Sequence, residues 1–227
     1  MRKNQKKIKK IALIICIPVI LAIGYFIFSI FQYQQLVNEG SVLADNQCLR
    51  VNPIIINRKN IYIKSLQALK DNNYDEYLKQ TETYFKISDD YVSEQTKWLD
   101  AQKKYMSKWD FQYFNPPYIQ TAAQYQYASR KADMDSTKLL MDSYNIAQLN
   151  KSLSEELAFK SMEKIKIRDD ADKKYNDIWD NPGKLDWRTR FIKVPASKCP
   201  DENFNIPDVE DFLNPKSIPS NIGQPVS

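Results

Sequence analysis

Few residues of this chain have the types and spacing that acid–base chemistry requires. The chain contains no histidine, which is the commonest metal ligand and a frequent general base. Two pairs of adjacent carboxylates occur, Asp89-Asp90 and Asp169-Asp170. Because neighbours on an α-helix point about 100° apart, neither pair converges on one substrate or metal ion. We therefore predict a protein that is not an enzyme, with no catalytic, cofactor-binding or metal site.

The cysteines suggest structural chemistry instead. Cys16 lies in an apolar run near the N-terminus, whereas Cys48 and Cys199 lie on either side of residues 54–181. Disulfides form and persist in oxidising compartments outside the cytosol. If this part of the chain is extracytoplasmic, we expect Cys48 and Cys199 to form a disulfide. Two unrelated thiols are the alternative.

The apolar run predicts the compartment in which these cysteines lie. Residues 11–31 carry no charge, and six of the ten residues before them are Lys or Arg. A helix needs about 20 apolar residues to cross a bilayer core, and basic flanks stay in the cytoplasm. We predict a single-pass signal anchor in the cell membrane, with a cytoplasmic N-terminus and an extracytoplasmic C-terminal domain. The alternative, a cleaved signal peptide, usually has a shorter apolar stretch of about 7–15 residues.

The charge distribution agrees with this partition. Six of the 33 basic residues lie in the first ten positions, which leaves 27 basic against 28 acidic residues in the rest of the chain. Nucleic-acid binding needs a clustered basic face. We therefore predict the lipid bilayer, but no nucleic acid, as a partner.

The spacing of helix breakers predicts an all-α fold. Residues 41–182 contain no glycine, and Pro116-Pro117 are the only prolines between Pro53 and Pro182. A sheet protein would need more turn residues. Two continuous helical arms, each reaching roughly 90 Å over about 60 residues, are the simplest interpretation. The predicted segments are a basic stub (1–10), the anchor (11–31), a connector (32–53), a coiled-coil-like antiparallel hairpin (54–181, with arms 54–115 and 118–181) and a Pro-rich extended tail (182–227).

Heptad patterns support the hairpin. In the second arm, one series of residues recurs every seven positions and includes Ala132 and Leu139. Ser129, Ser136 and Ser143 each lie four positions after a member of that series. This is the a/d spacing of a helical seam. Pairing residues whose numbers sum to 231 aligns apolar with apolar layers and polar with polar layers, for example Leu99 with Ala132.

One break in each arm would instead make a small four-helix bundle. Asp71-Asn72-Asn73 are residues that favour turns and caps. Ser152 with Glu155 has the spacing of a capping box at a helix start. The sequence leaves the continuous hairpin and the bundle open.

The first arm also carries an aromatic stripe beside its seam, one residue in every heptad. Tyr and Trp are the residues that anchor protein interfaces, so the stripe is a candidate partner-binding surface. Its alternative role is a core covered by the chain's own segments or by a second copy. The aromatic stripe consists of Tyr77, Tyr84, Tyr91, Trp98 and Tyr105.

These patterns favour a membrane-anchored interaction or scaffold protein that binds a protein partner or its own copies. A ligand-binding or sensor ectodomain is the alternative. Because the cytoplasmic stub has only about ten residues, a sensor of this kind would need a separate membrane partner to carry its signal.

Overall fold

The computed structural model describes residues 2–180, 187–196 and 198, with side chains described from residue 16 onwards except for 187 and 189. All regular elements in these ranges are helical, which confirms the all-α prediction. Most of the predicted Pro-rich tail lies outside the described residues. The helices are α1 (Arg2–Asn46), a π-helical turn (Gln47–Val51), α2 (Asn52–Lys70), α3 (Tyr74–Met106), α4 (Trp109–Phe114), α5 (Pro117–Ile146), α6 (Lys151–Asp180) and a 3₁₀ turn (Trp187–Phe191).

Helix α1 continues through the π-helical turn into α2, so that the two form one rod. Within this rod, one segment near the N-terminus is long and apolar enough to cross a membrane by length and composition. Its large side chains between Ile17 and Phe28 are exposed. From Ser29 onwards the rod packs against the rest of the chain, and Tyr33 and Leu36 are almost fully buried.

The chain first reverses direction at residues 71–73, where the sequence predicted a break. Asn72 has a positive φ of 56°, in the left-handed region that asparagine tolerates better than most residues. The Asn73 side chain then accepts a hydrogen bond from the backbone N–H of Glu76 at 3.2 Å and caps α3. Helix α3 therefore runs back along α2.

A second reversal follows α5 at residues 147–150. The Asn150 side chain accepts a hydrogen bond from the Leu153 N–H at 3.0 Å. The cap is thus Asn150, and the predicted capping box that starts at Ser152 is wrong. Helix α6 runs back along α5, because Ser154 contacts Ser143 and Ser161 contacts Ser136.

These reversals show that the two continuous arms of the hairpin prediction are wrong. Each arm is folded into two antiparallel helices, α2 with α3 and α5 with α6. As a consequence, the Pro116-Pro117 turn returns to the apolar segment of α1 instead of projecting from it. The rings of Phe28 and Phe114 make an edge-to-face contact, with centroids 5.8 Å apart.

Small residues bring α5 and α6 close together. The hydroxyls of Ser136 and Ser161 lie 2.9 Å apart, and Ser161 also donates to the Ser136 carbonyl at 3.0 Å. Ser143 and Ser154 repeat this arrangement, each donating to the other's carbonyl. The hydroxyls of these α5 serines therefore bind α6, a partner that the predicted pairing of polar layers between the two arms did not include.

A neighbouring face of α5 packs against α3. Gln102 donates to the Ala123 carbonyl at 3.1 Å, and the rings of Phe85 and Tyr144 stack with centroids 4.1 Å apart. The two helices are therefore antiparallel, as predicted, but in a shifted register. The main core cluster consists of Val51, Tyr91, Trp98, Leu99 and Met134.

Gln95 of α3 tests the energetic cost of the polar layers. Its side chain is fully buried, and neither amide atom has a hydrogen-bond partner within the described residues. Because an unsatisfied buried polar group costs about 1–3 kcal/mol, Gln95→Met should raise the free energy of unfolding by about that amount. Urea unfolding in detergent, followed by circular dichroism, measures this change. Gln124→Met at an exposed position of α5 is the control, and equal effects of both variants would contradict the prediction.

Candidate functional site

The chain's own N-terminal rod covers the aromatic stripe. Trp98 is 5 % exposed, and its indole N–H donates to the Leu43 carbonyl at 3.0 Å. The Tyr105 hydroxyl donates to the Leu36 carbonyl at 2.9 Å. Gly40 permits this approach, because a Cβ at that position would lie 3.3 Å from the Tyr105 hydroxyl oxygen.

The other members of the stripe are fully or partly buried. Tyr91 is 0 % exposed and belongs to the core, while Tyr84 and Tyr77 are half-buried. Tyr84 accepts a hydrogen bond from Arg58 at 3.0 Å. Tyr91, Trp98 and Tyr105 therefore pack inside the protein, which matches the alternative role of the stripe as a core covered by the chain's own segments. For Tyr77 and Tyr84 the partner-binding role stays a prediction.

A polar network lies behind the stripe, with Arg58 of α2 at one end. Its guanidinium donates to the Ser88 hydroxyl at 3.0 Å and to the Thr137 hydroxyl at 3.2 Å. The same group lies over the Tyr91 ring, 4.4 Å from the centroid. Such cation–π contacts gain strength where water is excluded, so Arg58 links α2, α3 and α5.

Asp133 of α5 forms the other end of the polar network. Its two carboxylate oxygens accept hydrogen bonds from the Tyr91 hydroxyl and from the Arg168 guanidinium, the latter at 3.1 Å. Because Arg168 belongs to α6, the network connects all four bundle helices. Removing water from a carboxylate is costly unless it is paired and hydrogen-bonded, and both conditions are met here.

Burial changes the acidity of the tyrosines. It raises the pKa of Tyr91 well above its ordinary value of 10.0, and the adjacent Asp133 carboxylate raises it further. Burial also raises the pKa of Tyr105, to about 12. Both phenols therefore stay protonated at neutral pH and act as hydrogen-bond donors.

The network's groups satisfy one another, which assigns them a role in holding the helices together. Asp89 and Asp90 are exposed, and the other carboxylate pair is bound by neighbouring cations. Asp169 pairs with Arg168 at 2.8 Å and Asp170 pairs with Lys174 at 2.6 Å. No group of three potential metal ligands converges within the part of the chain that the structure describes.

The segment after the 3₁₀ turn follows the rod. The Gln34 side chain accepts from the Lys193 N–H and donates to its carbonyl, each at 2.7 Å. Further along, the Lys198 N–H donates to the Asp45 carboxylate at 2.9 Å. Cys48 is buried three residues after Asp45, whereas Cys199 lies outside the described residues.

No family model matches this sequence, and no curated protein or solved structure shows significant similarity to it. The assignment of function therefore depends on the geometry alone. Arg58, Asp133 and Arg168 were not singled out by the sequence patterns. The available signal was Arg58 itself, a cation that follows the isoleucines at 54–56 on a helix that must pack against aromatic residues.

We predict that removing the Tyr91 hydroxyl destabilises the bundle. Tyr91→Phe leaves one oxygen of the partly buried Asp133 carboxylate without its donor, which should cost about 1 kcal/mol of unfolding free energy. Urea unfolding in detergent measures the loss. Tyr113→Phe, at an exposed tyrosine of α4, is the matched control. A Tyr91→Phe protein as stable as the wild type would contradict the role given to this hydrogen bond.

Alkaline pH should weaken the fold through the same tyrosines. In the unfolded chain they ionise near their ordinary value of 10.0, but in the folded protein the pKa of each is higher. Above pH 10 the unfolded state therefore binds fewer protons than the folded state. The stability that the two tyrosines contribute is complete below pH 10 and is lost as the pH rises further. Unfolding free energies at pH 9, 10 and 11 should decrease, and less steeply for a Tyr91→Phe, Tyr105→Phe protein. Equal slopes would contradict the prediction.

Proposed function

We propose that this protein is a single-pass membrane protein whose extracytoplasmic helical bundle is a non-catalytic interaction or scaffold module. The exposed apolar segment of α1 supports the anchor, because exposed large apolar side chains are stable in a bilayer core. The basic residues before it favour a cytoplasmic N-terminus. The bundle is continuous with the anchor through the rod.

Because most of the aromatic stripe is buried, the candidate partner surface is sought at the end of the bundle away from the apolar segment of α1. Four large apolar or aromatic side chains are exposed within a few turns of the two chain reversals, and Leu149 is 86 % exposed. The reversals lie at the end of the bundle away from the apolar segment. Their exposure at this end of the bundle is the observation that carries the proposal, since large exposed apolar side chains mark candidate interaction sites. The distal surface consists of Tyr74, Leu78, Tyr144 and Leu149.

Photocrosslinking in intact cells tests this surface. A photoreactive amino acid at Leu149 should give an intermolecular product, either with another protein or with a second copy of this chain. Lys103, an exposed position of α3 nearer the membrane, is the control and should give none. If neither position gives a product, or if both give the same one, the distal surface is not the binding site.

The alternative, a ligand-binding or sensor ectodomain, has a candidate place among the described residues. A groove of about 380 Å³ lies between α1 and α3, with Val42, Leu43 and Tyr105 in its lining. Its volume falls within the range of small-molecule sites. The Lys108–Glu39 ion pair, at 2.7 Å, belongs to the same groove. We place this function second, because the groove is open along one side.

The extracytoplasmic assignment also supports a Cys48–Cys199 disulfide. Residue 198 is bound to the last turn of α1, so Cys199 follows directly after a residue anchored near Cys48. Peptide mapping without reductant, after alkylation of free thiols, should recover the two cysteines in one linked peptide. Cys16 is free and serves as the alkylation control. Alkylation of both Cys48 and Cys199 in unreduced protein would contradict the pairing.

A further inference from the structure

The depth of the contacts on α1 locates part of the bundle relative to the membrane. At 1.5 Å per residue, the apolar run 11–31 spans roughly 32 Å, close to the thickness of a bilayer core. Phe28 and Phe26 lie three and five residues before the end of that run. They are therefore roughly 5 and 8 Å inside its outer boundary.

Two segments that are distant in sequence, α4 and the 3₁₀ turn, contact these phenylalanines. The Phe114 ring of α4 meets Phe28 edge to face at 5.8 Å, and the Phe191 ring of the 3₁₀ turn meets Phe26 at 5.7 Å. Both contacts lie at the level of the last turns of the apolar run. A bilayer that covers the run must consequently also meet α4 and the 3₁₀ turn.

The outward side chains at this level are aromatic. Trp109 is 59 % exposed and Tyr113 is 76 % exposed, although their rings lie only 6.2 Å apart on one face of α4. Tyr25 and Phe191 are also exposed, and Phe191 lies at this level through its contact with Phe26. Trp and Tyr are enriched at membrane–water interfaces, because each ring is apolar and carries one polar group. We call Tyr25, Trp109, Tyr113 and Phe191 the aromatic foot.

Charged groups adjoin the foot, and Asp110 follows directly after Trp109. Lys108 pairs with Glu39 at 2.7 Å on the side away from the apolar run, and Asp110 accepts from the Phe111 N–H at 3.0 Å. Arg190 and Lys193 are exposed next to Phe191. Lys and Arg at this depth can extend their charged ends to the headgroups while their stems remain in apolar surroundings.

We propose that the aromatic foot inserts into the headgroup boundary of the leaflet through which α1 leaves the membrane. The proposal rests on the single span of the proposed function. It adds a second attachment, which stops the bundle from swinging about the end of α1. The bundle then stands upright, and the distal surface is held roughly 45 Å from the membrane, the length of the 30-residue α5.

Depth-dependent fluorescence quenching tests the proposal on the full-length protein in phosphatidylcholine vesicles. A fluorescent amino acid replaces one residue at a time: Tyr113 in the foot, Tyr74 at the distal end, or Ile20 in the apolar run. All three positions are exposed, and circular dichroism verifies that helicity is retained. Lipids with a nitroxide on the headgroup should quench position 113 several-fold more than position 74. Lipids with a nitroxide deep in the acyl chain should quench position 20 most strongly.

The three positions separate failure of the foot from failure of the span. Quenching at position 20 with equal, weak quenching at 113 and 74 would overturn the foot and leave the single span intact. Equal, strong headgroup quenching at 113 and 74 would mean that the bundle lies flat on the membrane, which also overturns the proposal. If no position is quenched, the span itself is wrong and the foot falls with it.

Discussion

Burial of the aromatic stripe against the α1–α2 rod is the constraint on which the rest of the structure depends. The stripe can pack on the rod only if α3 turns back at Asn72 and runs towards the apolar segment. Trp98 and Tyr105 reinforce this direction, because each donates a hydrogen bond to a backbone carbonyl of α1. With α3 placed in this way, α4 is brought to the level of Phe28 and α5 must leave in the opposite direction.

The two remaining interfaces use different chemistry. Between α5 and α6, paired serines allow close backbone approach and satisfy each other's hydroxyls. Between α2, α3, α5 and α6, the polar network around Asp133 requires each helix to supply a specific partner. Buried polar groups of this kind favour one arrangement over its competitors, because a shifted helix would leave charges unpaired. A bundle with a single arrangement holds the distal surface in a fixed position, which the proposed scaffold function would require.

The all-α class, the break at residues 71–73 and the antiparallel order of α3 and α5 could all be predicted from breaker spacing and heptads. The choice of partner helix could not. Ser136 and Ser143 occupy seam positions that fit either α3 or α6, and periodicity alone does not say which helix approaches more closely. The stripe was ambiguous for the same reason, because Tyr and Trp serve both cores and interfaces. Arg58 and Asp133 are connected only through tertiary structure, because each contacts Tyr91 of α3.

The most direct test is an internal photocrosslink from the apolar segment to α4. A photoreactive amino acid replaces Phe28, the protein is irradiated in native membranes, and the crosslinked peptides are identified by mass spectrometry. The folded-back bundle predicts a product with residues 109–114, since the rings of Phe28 and Phe114 are 5.8 Å apart. Products with lipid or other proteins alone would contradict the account and would favour arms that extend away from the membrane.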